Sequence, residues 1–187
     1  MEIMIPEVAA LKLTLQEPAT LMELLAAGKK IPAEATGLLM LDHAEVKAMY
    51  RQHQSEDNAE MKVLLAGKIC TALTVHALVE EEIFYPEVGR ALEDDEMVTE
   101  AIEEHNEMKA EIAKIVGAMT AAKSTKRLLA KLMRIVEHHV KEEETEMFPD
   151  MRQMELDLYE LGGQLAARRA EALLQLKRQT NALETQA

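Results

Sequence analysis

The segment His76-Ala-Leu-Val-Glu80-Glu81-Glu82-Ile83-Phe84-Tyr85-Pro86 returns, 63 residues later, as His139-Val-Lys-Glu-Glu143-Glu144-Thr-Glu-Met147-Phe148-Pro149. A histidine, two glutamates, an aromatic residue and a proline keep identical offsets. A second pair of segments repeats as well: Asp42-His43-Ala-Glu45-Val-Lys47-Ala48 against Glu104-His105-Asn-Glu107-Met-Lys109-Ala110, at a spacing of 62. Self-similarity at a fixed period marks a duplicated structural unit. Here the unit reads as a helical hairpin, and two copies predict an antiparallel four-helix bundle with an approximate twofold axis between its halves.

Apolar residues outside the repeat recur at three and four, the helical period, and Val, Ile and Thr never gather into alternating runs of strand length. The fold class is therefore all-α. The spacing predicts helices over about Ala33 to Gln52, Ala59 to Val88, Glu96 to Met119 and, with Ser124 as N-cap, up to Met147 before Pro149. Gln54 to Asn58 and Gly89 to Asp95 read as the first two turns. Residues 1–32 form a lead-in with one short helix, opened by Pro18 and closed by Gly28; 33–150 form the bundle. Residues 151–187 carry a fifth helix, about Glu155 to Leu183, interrupted at Gly162-Gly163. It is expected either to cap the bundle or to pair with a second copy as a homodimer.

Composition narrows the function classes. With 21 Lys plus Arg against 34 Asp plus Glu, the net charge of -13 repels phosphate backbones and anionic lipid, so neither nucleic acid nor a membrane is an expected partner. No uninterrupted apolar run approaches the roughly 18 residues of a spanning helix. The single cysteine cannot close an intrachain disulfide, and the start carries Glu2 and Glu7 where a signal peptide would be basic, so a cytoplasmic location is expected.

The histidines carry the chemistry. Residues on antiparallel helices share a level when they are equally far from the connecting turn. The midpoints of His43 and His76, of His76 and His105, and of His105 and His139 fall at or within two residues of the three turns. All four rings therefore lie in one layer, roughly 22 to 25 Å from the turns at about 1.5 Å per residue. They also sit on apolar stripes: Leu39, His43, Val46 and Tyr50; Ile69, Ala72, His76, Glu80 and Ile83; Ile102, His105, Met108 and Ile112; Leu132, Ile135, His139, Glu143 and Met147. His138 with Glu142 has the same spacing as His139 with Glu143, but it continues the Lys131, Arg134 stripe and breaks the proline register.

In His-x-x-x-Glu the two side chains are one turn apart, so both can bind one metal, or the carboxylate can bridge two. Four nitrogens and two carboxylates are too many for one tetrahedral zinc. They suit two octahedral ions with a solvent-derived bridge and open positions; nitrogen and oxygen ligands favour iron, with manganese or zinc as alternatives. A lone inward histidine is usually a hydrogen-bonded core residue; four at one level, two with a carboxylate one turn on, are not. Glu81, Glu82, Glu142 and Glu144 read as a solvated face, so Glu81→Ala should leave metal content unchanged. His53 and His138 read as surface residues, Cys70 as a packed thiol and the 13 methionines as core filler. Tyr50 lies two turns from His43, where its hydroxyl either reaches the pocket or packs in the core. Lys47 and Lys109, one turn from the lone histidines, either reach solvent or pair with carboxylates.

This pattern, His43, His76-x-x-x-Glu80-Glu81 with Pro86, His105, and His139-x-x-x-Glu143-Glu144 with Pro149, resembles the hemerythrin-like family, or HHE cation-binding domain, over about Ala33 to Asp150. The resemblance implies a four-helix bundle holding a non-haem di-iron centre. Glu80 and Glu143 would be the bridging carboxylates and the four histidines the terminal ligands. Oxygen carriers of the family have a fifth histidine four residues after the third-helix one; here that position is Lys109, which implies a more symmetric four-His, two-Glu site. Three functions follow, in this order: binding of O2 or NO for sensing, storage or detoxification; an enzyme acting on peroxide or oxidising iron; and iron delivery for repair of damaged centres. Family members of the repair type usually carry an added cysteine-bearing domain, and residues 1–32 contain no cysteine.

Overall fold

The computed structural model describes residues 34–92 and 95–184, and among them all regular structure is helical. The short helix expected over 18–28 lies outside the described residues. Helix α1 is Ala35–Ser55, capped by Glu34, whose side chain accepts from the Gly37 amide at 3.2 Å and from the Thr36 hydroxyl at 2.6 Å. In the turn that follows, Asn58 caps α2 by accepting from the amides of Glu60 and Met61 at 2.8 and 3.0 Å, satisfying donors that a helix start leaves open.

Helix α2, Ala59–Leu92, is the core helix. Its most apolar window has a mean hydropathy of 1.5 and 72% of it is buried; by length and composition alone the helix could cross a membrane, as a buried core helix also can. It passes through Pro86 and continues past Gly89, where the second turn was expected to begin, to Leu92. Pro86 has no N–H for the carbonyl of Glu82, and its ring would press on that oxygen. The chain widens into a π-turn over Glu80–Phe84 and then resumes α geometry at Tyr85, where the proline occupies the opening turn.

The second half repeats the device. Helix α3 is Asp95–Thr120, and α4 covers 126–151 as Lys126–Glu142, a π-turn Glu143–Met147 and a final turn Phe148–Met151 around Pro149. Ser124 is not the cap of α4. That position falls to Thr125, which closes the first turn through its carbonyl to Leu129 N at 2.9 Å and makes no side-chain capping bond. Between α3 and α4, Ala122 takes a φ of 50°, a left-handed conformation that suits glycine better.

Helix α5, Leu158–Glu184, starts on Asp157, whose side chain accepts from the amides of Tyr159 and Glu160. The expected break at Gly162-Gly163 does not occur. Leu161 and Leu165 on either side are buried in the core, and that packing outweighs the roughly 1 kcal/mol each glycine costs in a helix.

Helix α1 packs along α2, α3 along α4, α2 on α3, and α5 in the groove between α1 and α2. Two apolar clusters result. One includes Val46, Ile69, Leu73, Ile112, Leu132 and Val136, the other Leu39, Phe84, Val88, Phe148, Met151 and Leu161. Each large aliphatic side chain contributes about 1.5–3 kcal/mol by its burial. The histidines lie in sequence between members of the two clusters, as His43 does between Leu39 and Val46. On α3 the inward position is Ala101; Ile102, read as inward from its spacing, is 36% exposed.

Candidate metal centre

Four ring nitrogens and two carboxylates meet between those clusters. His43 Nε2 faces His76 Nε2 at 3.2 Å, and His105 Nε2 faces His139 Nε2 at 3.2 Å. Glu80 Oε2 lies 3.0 Å from His76 Nε2 and 3.3 Å from His105 Nε2; Glu143 Oε2 lies 3.3 Å from His43 Nε2 and 3.4 Å from His139 Nε2. Each glutamate thus touches one histidine of each pair. All six side chains are buried.

The outward nitrogens explain why the inward ones face each other. His43 Nδ1 meets Glu144 at 2.9 Å, His105 Nδ1 meets Glu81 at 2.9 Å, and His139 Nδ1 meets Glu104 at 2.9 Å. A ring that donates from Nδ1 to a carboxylate presents a bare lone pair at Nε2. The fourth ring differs. His76 Nδ1 is 3.5 Å from Asp42 without forming a hydrogen bond, because Asp42 is bonded to the Arg169 guanidinium of α5. These partners obey the same repeat as the ligands: Asp42 matches Glu104, and Glu81 matches Glu144.

One hydroxyl enters the cluster. Tyr85 donates to Glu143 Oε1 at 3.0 Å and lies 3.2 Å from His105 Nε2. Its repeat-mate Phe148 stacks on His43 at 5.9 Å and brings no polar atom. Tyr85 is five residues past Glu80, off the face of a regular α-helix; the five-residue turn before it rotates it inward.

The set is one of acceptors. Glu80 Oε1 and Oε2 and Glu143 Oε2 are buried without a hydrogen-bond partner, beside inward nitrogen lone pairs. Burial and the neighbouring Glu143 push the Glu80 carboxyl well above the usual range. Burial opposes ionisation of Glu143 too, but His139 and His43 outweigh it and hold Glu143 low. Burial lowers His76 and takes His105 down to about 4, whereas at His139 it is outweighed by Glu143 and Glu104 and the ring is raised. Cations satisfy such a set. Two nitrogens about 2.1 Å from one ion and at a right angle to each other would be about 3.0 Å apart, close to the 3.2 Å found in both pairs. His43, His76, Glu80 and Glu143 form one group with potential ligand atoms within 4.8 Å of one another; Glu80, His105 and His139 form a second.

Comparison with known proteins agrees with this chemistry: residues 34–151 match the hemerythrin HHE cation-binding domain. The chain belongs to that family. A DNA nickase of Nostoc sp. (strain PCC 7120 / SAG 25.82 / UTEX 2576) is 30% identical over 115 residues, 62% of this chain. The chain spans about a third (32%) of that relative's length. No solved structure matches. Domains of this family bind cations, typically iron, and small ligands such as O2 at the metal site, and the His/Glu groups described here could hold a metal.

In this HHE domain the packed Cys70 and the pairing of Lys47 and Lys109 with carboxylates are as expected, and other expectations need correction. Tyr50 stacks on His53 at 6.5 Å and packs against the core; the hydroxyl among the ligands belongs to Tyr85. His53 is buried rather than on the surface, and burial, with Lys62, lowers its pKa. Glu81 and Glu144 are not a solvated face, since each takes the outer nitrogen of a histidine, so removing Glu81 disturbs His105 directly. Lys109 clamps Glu81 at 2.5 and 2.7 Å and Lys47 stands 3.9 Å from Glu144, so both lysines act on the histidines through those carboxylates. Cys70 is packed in the core, where burial raises its thiol to about 12.

Proposed function

We propose that this chain is a non-haem di-iron binding protein whose helices form an antiparallel four-helix bundle from a duplicated hairpin, and that it takes O2 or NO for sensing, storage or detoxification. One observation carries the reading: four inward nitrogens and buried carboxylate oxygens without partners share one space, with Tyr85 as the hydroxyl among them. Glu80 and Glu143, each touching both histidine pairs, would be the carboxylates shared between the two ions. His43 and His76 would hold one ion, and His105 and His139 the other. Bound iron would supply open coordination positions and redox chemistry.

The chain's own side chains set the conditions. Leu73, Val46, Met108, Val136 and Val140 line the small pocket beside the histidines and exclude water. Glu144, Glu81 and Glu104 fix the orientation of three rings and the tautomer that leaves Nε2 free. Tyr85 holds a proton against Glu143; burial and the two bridging glutamates keep its own pKa well above normal, so it remains a donor at neutral pH.

The test is anaerobic loading of the full chain with Fe2+, metal analysis, and then spectra with O2 and with NO. Two irons per chain and a new visible band, or a nitrosyl signal, are expected. One ion or none per chain, or spectra indifferent to both gases, would overturn the reading. A peroxide-consuming enzyme is the second reading, favoured by the Tyr85 proton at the cluster; sustained peroxide turnover, rather than a change that stops after one equivalent, would favour it.

A further inference from the structure

The duplication supplies an internal control. On the α1/α2 side, Leu38, Val75, Val79 and Ile83 are apolar, and Val75 packs beneath Ala172 and Leu176 of α5. The repeat-equivalent positions on the α3/α4 side are Glu100, His138, Glu142 and Glu146. No described helix covers them. Between α3 and α4 lies a cleft of about 220 Å³, whose walls include Glu96, Glu100, Glu104, Glu142 and Glu146 and whose lining reaches His139 and Glu143.

Exposure falls from rim to floor. The side chains of His138 and Glu142 are 64% and 38% exposed, Glu104 17%, and His139 and Glu143 1%. At the rim His138 Nδ1 lies 2.8 Å from Glu104 Oε1 and 3.4 Å from Glu142 Oε1, and these three residues offer ligand atoms within 4.8 Å of one another. Glu104 turns its other oxygen onto His139 Nδ1 at 2.9 Å, so one carboxylate joins the rim to the buried cluster. Acidic side chains on a helix surface are ordinarily just solvated. Here the cleft ends on the buried Glu143, whose Oε2 has no hydrogen-bond partner and faces His139 and His43 within the cluster, so a cation travelling down the cleft would arrive at a ligand.

We propose that this cleft is the entry port for divalent cations and that Glu104, His138 and Glu142 form a separate, weak cation site at its rim. The inference rests on the cluster being a metal centre. An imidazole with two carboxylates suits a borderline divalent ion such as Fe2+, Mn2+ or Zn2+. A cleft of one sign of charge concentrates counter-ions and speeds capture by about 10- to 1,000-fold.

The experiment compares the metal-free full chain with His138→Ala/Glu142→Gln and with Glu107→Gln, an exposed acid elsewhere on α3. Co2+ uptake at low ionic strength is followed by stopped-flow absorption, and weak binding by Mn2+ titration with paramagnetic resonance. The double variant should load the cluster to the wild-type stoichiometry but about tenfold or more slowly, and should lose one weakly held Mn2+. Glu107→Gln should match wild type in both. Equal loading rates, equal slowing in Glu107→Gln, or retention of the weak Mn2+ in the double variant would each overturn the proposal. Should wild type leave the central cluster empty while the double variant still loses the weak Mn2+, the rim site stands and the di-iron reading falls.

Discussion

Replacing Arg169 by Met removes the one guanidinium that holds Asp42, and its cost follows from where the pair lies. Arg169 is 15% and Asp42 10% exposed in their side chains, and burial alone brings the Arg169 pKa down to about 10. Breaking a buried pair by deleting one partner costs about 3–5 kcal/mol, because the survivor keeps an uncompensated charge. Asp42 has a fallback in His76 Nδ1 at 3.5 Å, which brings the expectation to about 2–3 kcal/mol. At about 2–4 °C per kcal/mol for a chain of this length, Arg169→Met should lower the Tm of the metal-free protein by roughly 4–12 °C. Asp42→Asn/Arg169→Met should recover at least half of that loss, since no charge is then left buried. Urea unfolding of the four proteins closes the double-mutant cycle. The metal-loaded forms give an independent readout. Arg169→Met, which frees Asp42 to close on His76, should not weaken metal retention, and neither should Asp42→Asn, because Asp42 makes no hydrogen bond to His76. Additive losses, a single-variant cost below about 1 kcal/mol, or loss of metal in Arg169→Met would refute the reasoning.

Three further outcomes are expected. Glu80 and His139 are both raised on folding, so they take up protons, and above about pH 6.5 the metal-free protein should lose stability as pH rises; below that value His76 and His105, both lowered, reverse the trend. Glu80→Gln should flatten the alkaline limb in thermal melts while abolishing metal binding, and a slope unchanged by the substitution would count against the assignment. Tyr85→Phe strips Glu143 Oε1 of its donor and should cost the metal-free chain about 1–3 kcal/mol with metal content unchanged; loss of metal would make Tyr85 a ligand. Ala122→Gly relieves the φ of 50° and should stabilise by about 0.5–1 kcal/mol in denaturant titrations, provided the turn keeps its shape.

The six acceptors were legible because duplication displays them twice, and depth and helical phase need only counting. Their supports were displayed twice as well. Asp42 and Glu104 precede the lone histidines, and Glu81 and Glu144 follow the paired glutamates. One position from an inward residue, each looks solvent-facing on a helical wheel, and only the neighbouring helix shows that the outer nitrogen of a ring waits there. Tyr85 escaped for a different reason: a regular period of 3.6 places it off the inward face, and a widened turn carries it in. Arg169 has no counterpart in the repeat, so nothing in the pattern pointed to it. The Gly162-Gly163 break failed because local propensity was weighed without the buried Leu161 and Leu165 that flank it.

Helix α5 begins at Leu158, beyond the 34–151 match, yet it roofs Val75 and clasps Asp42. A gene fragment trimmed at residue 151 would keep every ligand and still lay bare an oily furrow beside a stranded carboxylate. Such trimmed preparations should clump, and a weak oxygen response measured on one would indict the cut rather than the centre.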